Sequence, residues 1–489
     1  MNKNPFIHLF CTSEGKYLYD VNTDKILKIP NCVYNYLKKK ENTKENEEKA
    51  INYINYLQKN GFLKCKRIKE TEHPSTKFLP FYYDYKLNFL TIQLTQNCNL
   101  RCEYCVYSGA YNTRTHSNKH MNFELAKKGI DYLVAHSSES SKLTFGFYGG
   151  EPLLEFELIE KCVKYIKEKT EGKETLFVIT TNATLLKGEI VEFLVKNEFM
   201  ITVSLDGPQY VHDISRKFAN SNKGSFEVII SNLKQIKEQY PLFFKNNIYF
   251  NTVFTTQNGF NEISDFFSGE ELFSESTFNT SIVSDIYAKE KISITRRFIE
   301  ENRYEEFKVL LAKLGKLDEQ DVSIIAKKEF NSTLRARIGK HASTRTEVPE
   351  RWHHGGPCIP GVQRLFLNAE GKFFPCEKVS ESTRFTCIGD VEQGLDIEAG
   401  RKILNIENFN KETCHSCWAY GYCELCVMQM GESLEEANVT LKSKCYQMRY
   451  AIEEHFKDYC TLKELGYDFE VGTVERMMIN FGEKEYEFE

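Results

Sequence analysis

The sequence predicts an α/β fold: an open partial barrel of six β/α units, preceded by a small winged-helix-like module and followed by a cysteine-rich domain. Three observations carry this expectation. Strand and helix signals alternate from Leu87 to Asp285, which implies parallel strands joined by right-handed crossovers. The 489 residues are 41% hydrophobic and 27% charged, enough for several cores at roughly 150 residues per domain. Eleven of the 16 cysteines gather in two regions, 98–105 and 358–445, with none between 163 and 357.

Residues 1–80 form the first unit. Apolar runs Phe6–Cys11, Tyr17–Val21 and Ile26–Ile29 read as strands, split by the turn signals Ser13-Glu14-Gly15 and Asn22-Thr23-Asp24. Helical spacing follows at Val33/Leu37 and at Ala50, Ile54 and Leu57, closed by Gly61 as a C′ cap. The Lys/Glu/Asn run 38–49 between them is a solvated loop or helix face. The module ends near Pro74–Pro80.

Residues 81–290 form the barrel. Its strands are Asn88–Leu94, Leu143–Tyr148, Leu176–Thr181, Ile201–Leu205, Ile248–Phe254 and Asn279–Val283. Between them lie helices with apolar faces: Ala126, Ile130, Leu133 and Val134; Ile159, Val163 and Ile166; and Ile229, Leu233 and Ile236 behind a Ser225 N-cap. Six units are too few for an eight-fold barrel, so the barrel is open, with its site at the strand ends. Residues 291–357 read as a helical, basic connector. Within Lys327–His354, seven Lys and Arg face three Glu, as a solvated connector or as a basic wall for an acidic peptide. Residues 358–460 hold the second cysteine region, and 461–489 a tail, acidic from Glu483 to Glu489.

Net charge of −5 argues against nucleic acid as a partner. No apolar run approaches the roughly 18 residues of a membrane span. Met1–Phe10 lacks a basic start followed by a long apolar stretch, so no export signal is expected. In the cytoplasm this implies, clustered cysteines mean metal ligation or redox chemistry rather than disulfides.

The sharpest motif is Cys98-Asn99-Leu100-Arg101-Cys102-Glu103-Tyr104-Cys105, directly after the first barrel strand. Three thiolates on one loop can bind three irons of a [4Fe–4S] cube and leave the fourth open. Structural zinc would want a fourth ligand, and no Cys or His is adjacent. Gly149-Gly150-Glu151-Pro152 ends the second strand. Its glycines permit close backbone approach and its carboxylate can accept from an ammonium, although the segment also suits a helix start with Pro near N1. Thr181-Asn182 ends the third strand and Ser204-Leu205-Asp206-Gly207 the fourth, with His212, Asp213 and Arg216 just beyond. For His212 and Asp213 a structural part, capping or ion pairing, suits as well as a functional one. The second region runs Cys358, Cys376, Cys414, Cys417, Cys423, Cys426 and Cys445; its two C-x2-C pairs would also suit a rubredoxin-like or zinc knot. Cys162 lies on an apolar helix face and suits core packing. Cys11, Cys32, Cys65 and Cys460 have no partners at ligand spacing, and Cys387 alternates like a strand residue.

The cysteine loop, its place after strand one and the partial barrel resemble the radical S-adenosylmethionine (radical SAM) superfamily. The resemblance implies that Cys98, Cys102 and Cys105 hold a cluster whose open iron chelates S-adenosylmethionine, which one electron cleaves to a 5′-deoxyadenosyl radical. It implies cofactor contacts from Tyr104, Gly149, Gly150, Glu151, Pro152, Asn182, Ser204, Asp206 and Arg216, with Ser204 and Arg216 toward the ribose and carboxylate. The second region is similar to the SPASM extension, which holds two auxiliary [4Fe–4S] clusters, three clusters in all. Carried over, Cys414, Cys417, Cys423 and Cys445 ligate the outer cluster, and Cys358, Cys376 and Cys426 the inner one. Two residues rather than the usual three separate Cys423 from Cys426. Gln363 and Arg364 stand where some relatives place a further cysteine, so the inner cluster has an open iron unless Cys387 joins it.

Residues 1–80 resemble the leader-recognition domains of enzymes that mature ribosomally made peptides, which bind a leader as an added strand. The expectation is a maturase of sactipeptide or ranthipeptide type, forming thioethers in a precursor peptide and fed by a flavodoxin- or ferredoxin-type donor. A formylglycine-forming, dehydrogenase-type maturase and a non-catalytic iron–sulfur carrier or sensor are the alternatives.

Overall fold

The computed structural model describes residues 4–467 except 256–257, 275, 291, 329, 331–344, 355, 357, 384 and 431–433, together with the backbone of 478–479. Apolar residues in alternation make the first strands, β1 (Ile7–Cys11), β2 (Lys16–Asp20) and β3 (Lys25–Lys28), an antiparallel meander. Helices α1 (Asn31–Leu37) and α2 (Lys44–Lys59) cover one face, where Leu18, Leu27, Val33, Ala50 and Leu57 form a separate small core. Thr43 caps α2 by accepting from the Asn46 N–H, so the lysine-rich run is part loop, part helix. The opposite face is also apolar, and it packs on the cysteine-rich region. The Tyr19 ring lies 5.0 Å from Phe456 and 5.8 Å from Tyr422, and His8 stacks on Trp418 at 3.7 Å. The outer edge of β3 pairs in parallel with the backbone of Met478–Ile479.

After β4 (Glu70–Thr71) and α3 (Leu79–Tyr85) come six parallel strands in sequence order. They are β5 (Phe89–Thr95), β6 (Lys142–Gly149), β7 (Glu174–Thr181), β8 (Met200–Ser204), β9 (Ile248–Phe254) and β10 (Thr277–Ile282), each within three residues of its expected bounds. Helices α4 (Phe123–Ala135), α5 (Phe156–Lys169), α6 (Glu189–Lys196), α7 (Gln209–Ser215), α8 (Phe226–Gln239), α9 (Pro241–Asn247) and α10 (Phe260–Gly269) alternate with them. The expected faces are buried: Ile130 and Leu133 in α4, Ile159 and Ile166 in α5, Ile229 and Leu233 in α8. Cys162 is fully buried among them.

The sheet does not stop at the barrel. Leu365–Leu367 adds to β5 in parallel, and Lys372–Phe374, Gly389–Asp390 and Gly394–Leu395 follow antiparallel, ten strands in all. The second cysteine region therefore grows from the barrel's own edge. Strands of two or three residues leave no period-2 signal, so the sequence hid this extension.

The connector begins with α11 (Arg296–Lys313). Of the basic run, Arg345 donates to the carbonyls of Val21 and Asn22, Arg351 pairs with Glu70 and Glu72, and Lys327 and Lys328 donate to the carbonyls of Glu319 and Phe278. These four make contacts within the chain rather than a free wall; Arg335, Arg337 and Lys340 lie outside the described residues. The helix Leu434–Glu464 runs through the expected boundary at 460. The acidic stretch 483–489 lies outside the described residues. Among the described residues no helix is long and apolar enough to cross a membrane.

Candidate active site

The loop leaving β5 curls so that Cys98, Cys102 and Cys105 face one cavity of about 150 Å³, closed by Tyr104, Tyr107, Tyr148, Gly149, Gly150, Asn182, Ser204 and Arg216. These residues come from the ends of β5, β6, β7 and β8, where a partial barrel puts its chemistry. Each thiol meets a donor. The Leu100 N–H reaches Cys98 Sγ at 3.3 Å, the Tyr107 N–H reaches Cys105 Sγ at 3.4 Å, and Arg216 Nη1 stands 4.0 Å from Cys102 Sγ. Burial pushes the Cys98 and Cys102 thiols up to about 12, and binding a metal as thiolates would release their protons. Donors aimed at buried sulfurs that share one cavity suit a thiolate-held cluster.

The two glycines are required by their neighbours. A Cβ on Gly149, at φ +149°, would stand 2.2 Å from the Thr95 carbonyl oxygen, and one on Gly150 would stand 2.1 Å from that of Asn97. Only glycine lets the end of β6 lie this close to the cysteine loop. Glu151 turns inward. Its carboxylate accepts from Thr181 Oγ1 (2.7 Å), the Asn182 N–H (2.8 Å) and the Leu153 N–H (3.1 Å), with no exposed surface. Burial raises it to about 7 despite these donors. Glu151 also caps the short turn Pro152–Glu155, so the segment serves as a helix start while its glycines allow the close approach, and the carboxylate accepts from donors of its own chain.

Asp206 is likewise a brace behind the cavity. It accepts from Arg216 Nε (2.7 Å) and Nη2 (3.2 Å), from the Val253 N–H (3.1 Å) and from the Tyr104 hydroxyl. Burial pushes its carboxyl up, and the Arg216 guanidinium overcomes this and holds it below the usual range. The pair aims Arg216 along the cavity wall, with Tyr104 under the guanidinium at 5.4 Å. Asn182 bonds Asn99 Oδ1 at 2.8 Å and lies 3.7 Å from Cys98 Sγ. His212 bonds Ser225 at 3.0 Å and Asp213 accepts from the Phe226 N–H at 3.0 Å, so both play structural parts at the start of α8.

In the second region Cys414, Cys417, Cys423 and Cys445 line one small cavity beside His354 and Arg449. Cys358, Cys376 and Cys426 form a separate run of neighbours. Burial and then Glu377 raise Cys376, with the Cys426 sulfur adding to it, while Cys426 is raised by burial and by Cys358. Cys387 turns elsewhere, its thiol donating to the Gly389 carbonyl at 3.4 Å. Among the described residues no group of three or more His, Cys, Asp or Glu is set to hold a metal ion. A cube takes its thiolates at separate corners, farther apart than the shell of one ion.

Sequence reasoning missed Tyr107 and Tyr148 in the cavity wall, and the buried Gln93 and Arg114 and the half-buried Glu381 behind them. Gln93 on the predicted first strand, polar among apolar neighbours, was the one available signal. A second cavity of about 690 Å³ adjoins the first across Tyr104, at the ends of β9 and β10.

Residues 92–258 match the family model of the Radical SAM superfamily. The chain is 32% identical over 153 residues to a cysteine-type anaerobic sulfatase-maturating enzyme of Clostridium novyi, covering 30% of this chain and 40% of that one. It is 35% identical over 143 residues to a serine-type anaerobic sulfatase-maturating enzyme of Bacteroides thetaiotaomicron, covering 29% and 34%. The chain thus spans less than half the length of these relatives. A longer, weaker match, 22% over 370 residues, covers 73% of this chain and 71% of the radical SAM cyclopropyl synthase TigE of Paramaledivibacter caminithermalis. Among solved structures, native anSMEcpe with bound AdoMet has a TM-score of 0.54 at 18% identity, over 76% of this chain and 99% of that one, which speaks for the fold.

Proposed function

Because residues 92–258 form a radical SAM domain, we propose that the chain is a cytoplasmic peptide maturase that joins cysteine sulfur to carbon in a ribosomally made precursor. One observation supports the reading: the second region's cysteines divide into a set of four and a set of three, and the Cys387 thiol is taken up by the Gly389 carbonyl. When bound, three [4Fe–4S] clusters and S-adenosylmethionine supply a hydrogen-abstracting 5′-deoxyadenosyl radical, an exit for the surplus electron and an open iron for a substrate thiolate.

The chain's own residues hold and orient these groups. Cys98, Cys102 and Cys105 hold the first cluster, Cys358, Cys376 and Cys426 the inner one, and Cys414, Cys417, Cys423 and Cys445 the outer one. The Gly149-Gly150 backbone, Tyr104, Asn182, Ser204 and Arg216 receive S-adenosylmethionine, while Glu151, Pro152 and Asp206 keep that wall in place. The larger cavity beyond Tyr104 gives a substrate segment room beside the reacting centre, and the β1–β3 sheet takes the leader. Overall one C–H and one S–H bond break and one C–S bond forms; one hydrogen atom would leave with the 5′-deoxyadenosyl group, and one proton and the one surplus electron would leave separately. A flavodoxin- or ferredoxin-type donor primes the reaction.

A second reading follows from the names of the relatives: oxidation of a protein cysteine or serine to formylglycine. The test is the mass of a cysteine-bearing precursor peptide after incubation with reduced holoenzyme and S-adenosylmethionine. Loss of two hydrogens with sulfur retained and the thiol blocked supports the thioether. An aldehyde with loss of sulfur overturns it in favour of the second reading.

A further inference from the structure

The cavity wall is not built by the barrel alone. Glu381, in the segment after Cys376, reaches back to the barrel with a side chain only 8% exposed, and Arg114, 5% exposed, lies against it at 2.7 Å. Gln93 Nε2 has two hydrogens and uses both, donating to Glu381 Oε1 at 2.9 Å and to the Tyr107 hydroxyl at 2.7 Å. Asn368 Nδ2 donates to the other carboxylate oxygen at 3.2 Å. Arg114 Nη2 donates to the Val379 carbonyl at 2.7 Å, and its guanidinium sits 5.6 Å from the Tyr107 ring centre. Tyr107, 2% exposed, faces the cavity that carries Cys98, Cys102 and Cys105.

We propose that Glu381 is a positioning residue for the S-adenosylmethionine site, fixing the Tyr107 ring in the cavity wall through Gln93 and Arg114. A buried guanidinium demands a carboxylate partner. Glu377, the other acid nearby, is engaged with Arg364 at 2.6 Å. Without the Glu381 charge, Arg114 shifts toward the remaining acceptors, Gln93 is free to turn, and Tyr107 loses its donor. The segment after Cys376 and the radical-forming cavity thus share one geometry. The inference rests on the assignment of that cavity to S-adenosylmethionine and not on the thioether reading.

The test uses reconstituted holoenzyme with Glu381→Gln, and with Arg114→Lys, which keeps the buried charge and loses the planar guanidinium. S-adenosylhomocysteine is the calorimetric probe, alongside iron content, hydrogen exchange, and peptide-free reductive cleavage of S-adenosylmethionine. Iron per chain should hold. Affinity for the probe should fall about tenfold, the scale of one lost hydrogen bond to a charged group. The KM for S-adenosylmethionine should rise by the same factor with kcat changed less than about twofold. Exchange should rise together in 104–116 and 376–383. Full iron with unchanged probe affinity overturns the proposal. So does a loss of affinity that only tracks lost iron, since that marks a staple of the fold. If the probe gives wild-type protein no protection at 104–107 and 148–150, the cavity assignment falls and the proposal with it.

Discussion

Glu151→Ala is the perturbation whose size follows most directly from the structure. The substitution removes the acceptor for two buried backbone N–H groups, Leu153 and Asn182, and for the Thr181 hydroxyl. The hydroxyl can rotate to another partner, but the amides cannot. At about 1–3 kcal/mol for each orphaned donor, the loss is about 2–6 kcal/mol. For a barrel of roughly 200 residues melting as one unit, at about 3 °C per kcal/mol, Tm should fall by roughly 6–18 °C. The wild-type carboxyl is raised by burial to about 7, so its contribution is greatest when protonated and declines as pH rises from the unfolded value toward 7. The gap between wild type and variant should therefore be wider at pH 6 than at pH 8. Anaerobic melting of reconstituted protein at the two pH values measures it. A Tm within about 2 °C of wild type, or a gap that widens with pH, would refute the brace between β6 and β7.

Gly150→Ala should abolish cleavage of S-adenosylmethionine, because its Cβ would drive the Asn97 carbonyl and the cysteine loop aside; wild-type 5′-deoxyadenosine yield by chromatography would count against this. Cys387→Ala should leave iron content and turnover near wild type; loss of about four irons would make Cys387 the fourth inner ligand and close that site to substrate. Trp418→Ala removes the ring stacked on His8 and should cost about 0.5–1.5 kcal/mol beyond its area, loosening residues 7–20 in hydrogen exchange; protection unchanged there would mean the module stands alone.

Strand order and the cysteine loop were legible because periodicity and spacing are local. Each barrel strand was an apolar run bounded by turns, and the C-x3-C-x2-C motif placed three thiols on one loop. The Arg114–Glu381 pair was not legible, since 267 residues separate its members and nothing local couples them. The first module was half legible. Its strands were clear, but Tyr17 and Tyr19 lie on one face and Leu18 on the other, and both faces are buried. The face bearing Tyr17 and Tyr19 packs against Phe456 and Tyr422, so removing residues 1–75 would strip the cysteine-rich region of its cover as well as any leader site. Point changes on the sheet test leader binding more cleanly than deletion.

The central claim is that ten cysteines hold three iron–sulfur cubes, one of them at the mouth of the barrel. Metal analysis of anaerobically reconstituted protein, with and without Cys98, Cys102 and Cys105 replaced together by Ala, tests it directly. About twelve irons per chain are expected, falling to about eight in the variant with all 5′-deoxyadenosine formation lost. Zinc in place of iron in the second region, or a variant that keeps both its iron and its cleavage activity, would contradict it.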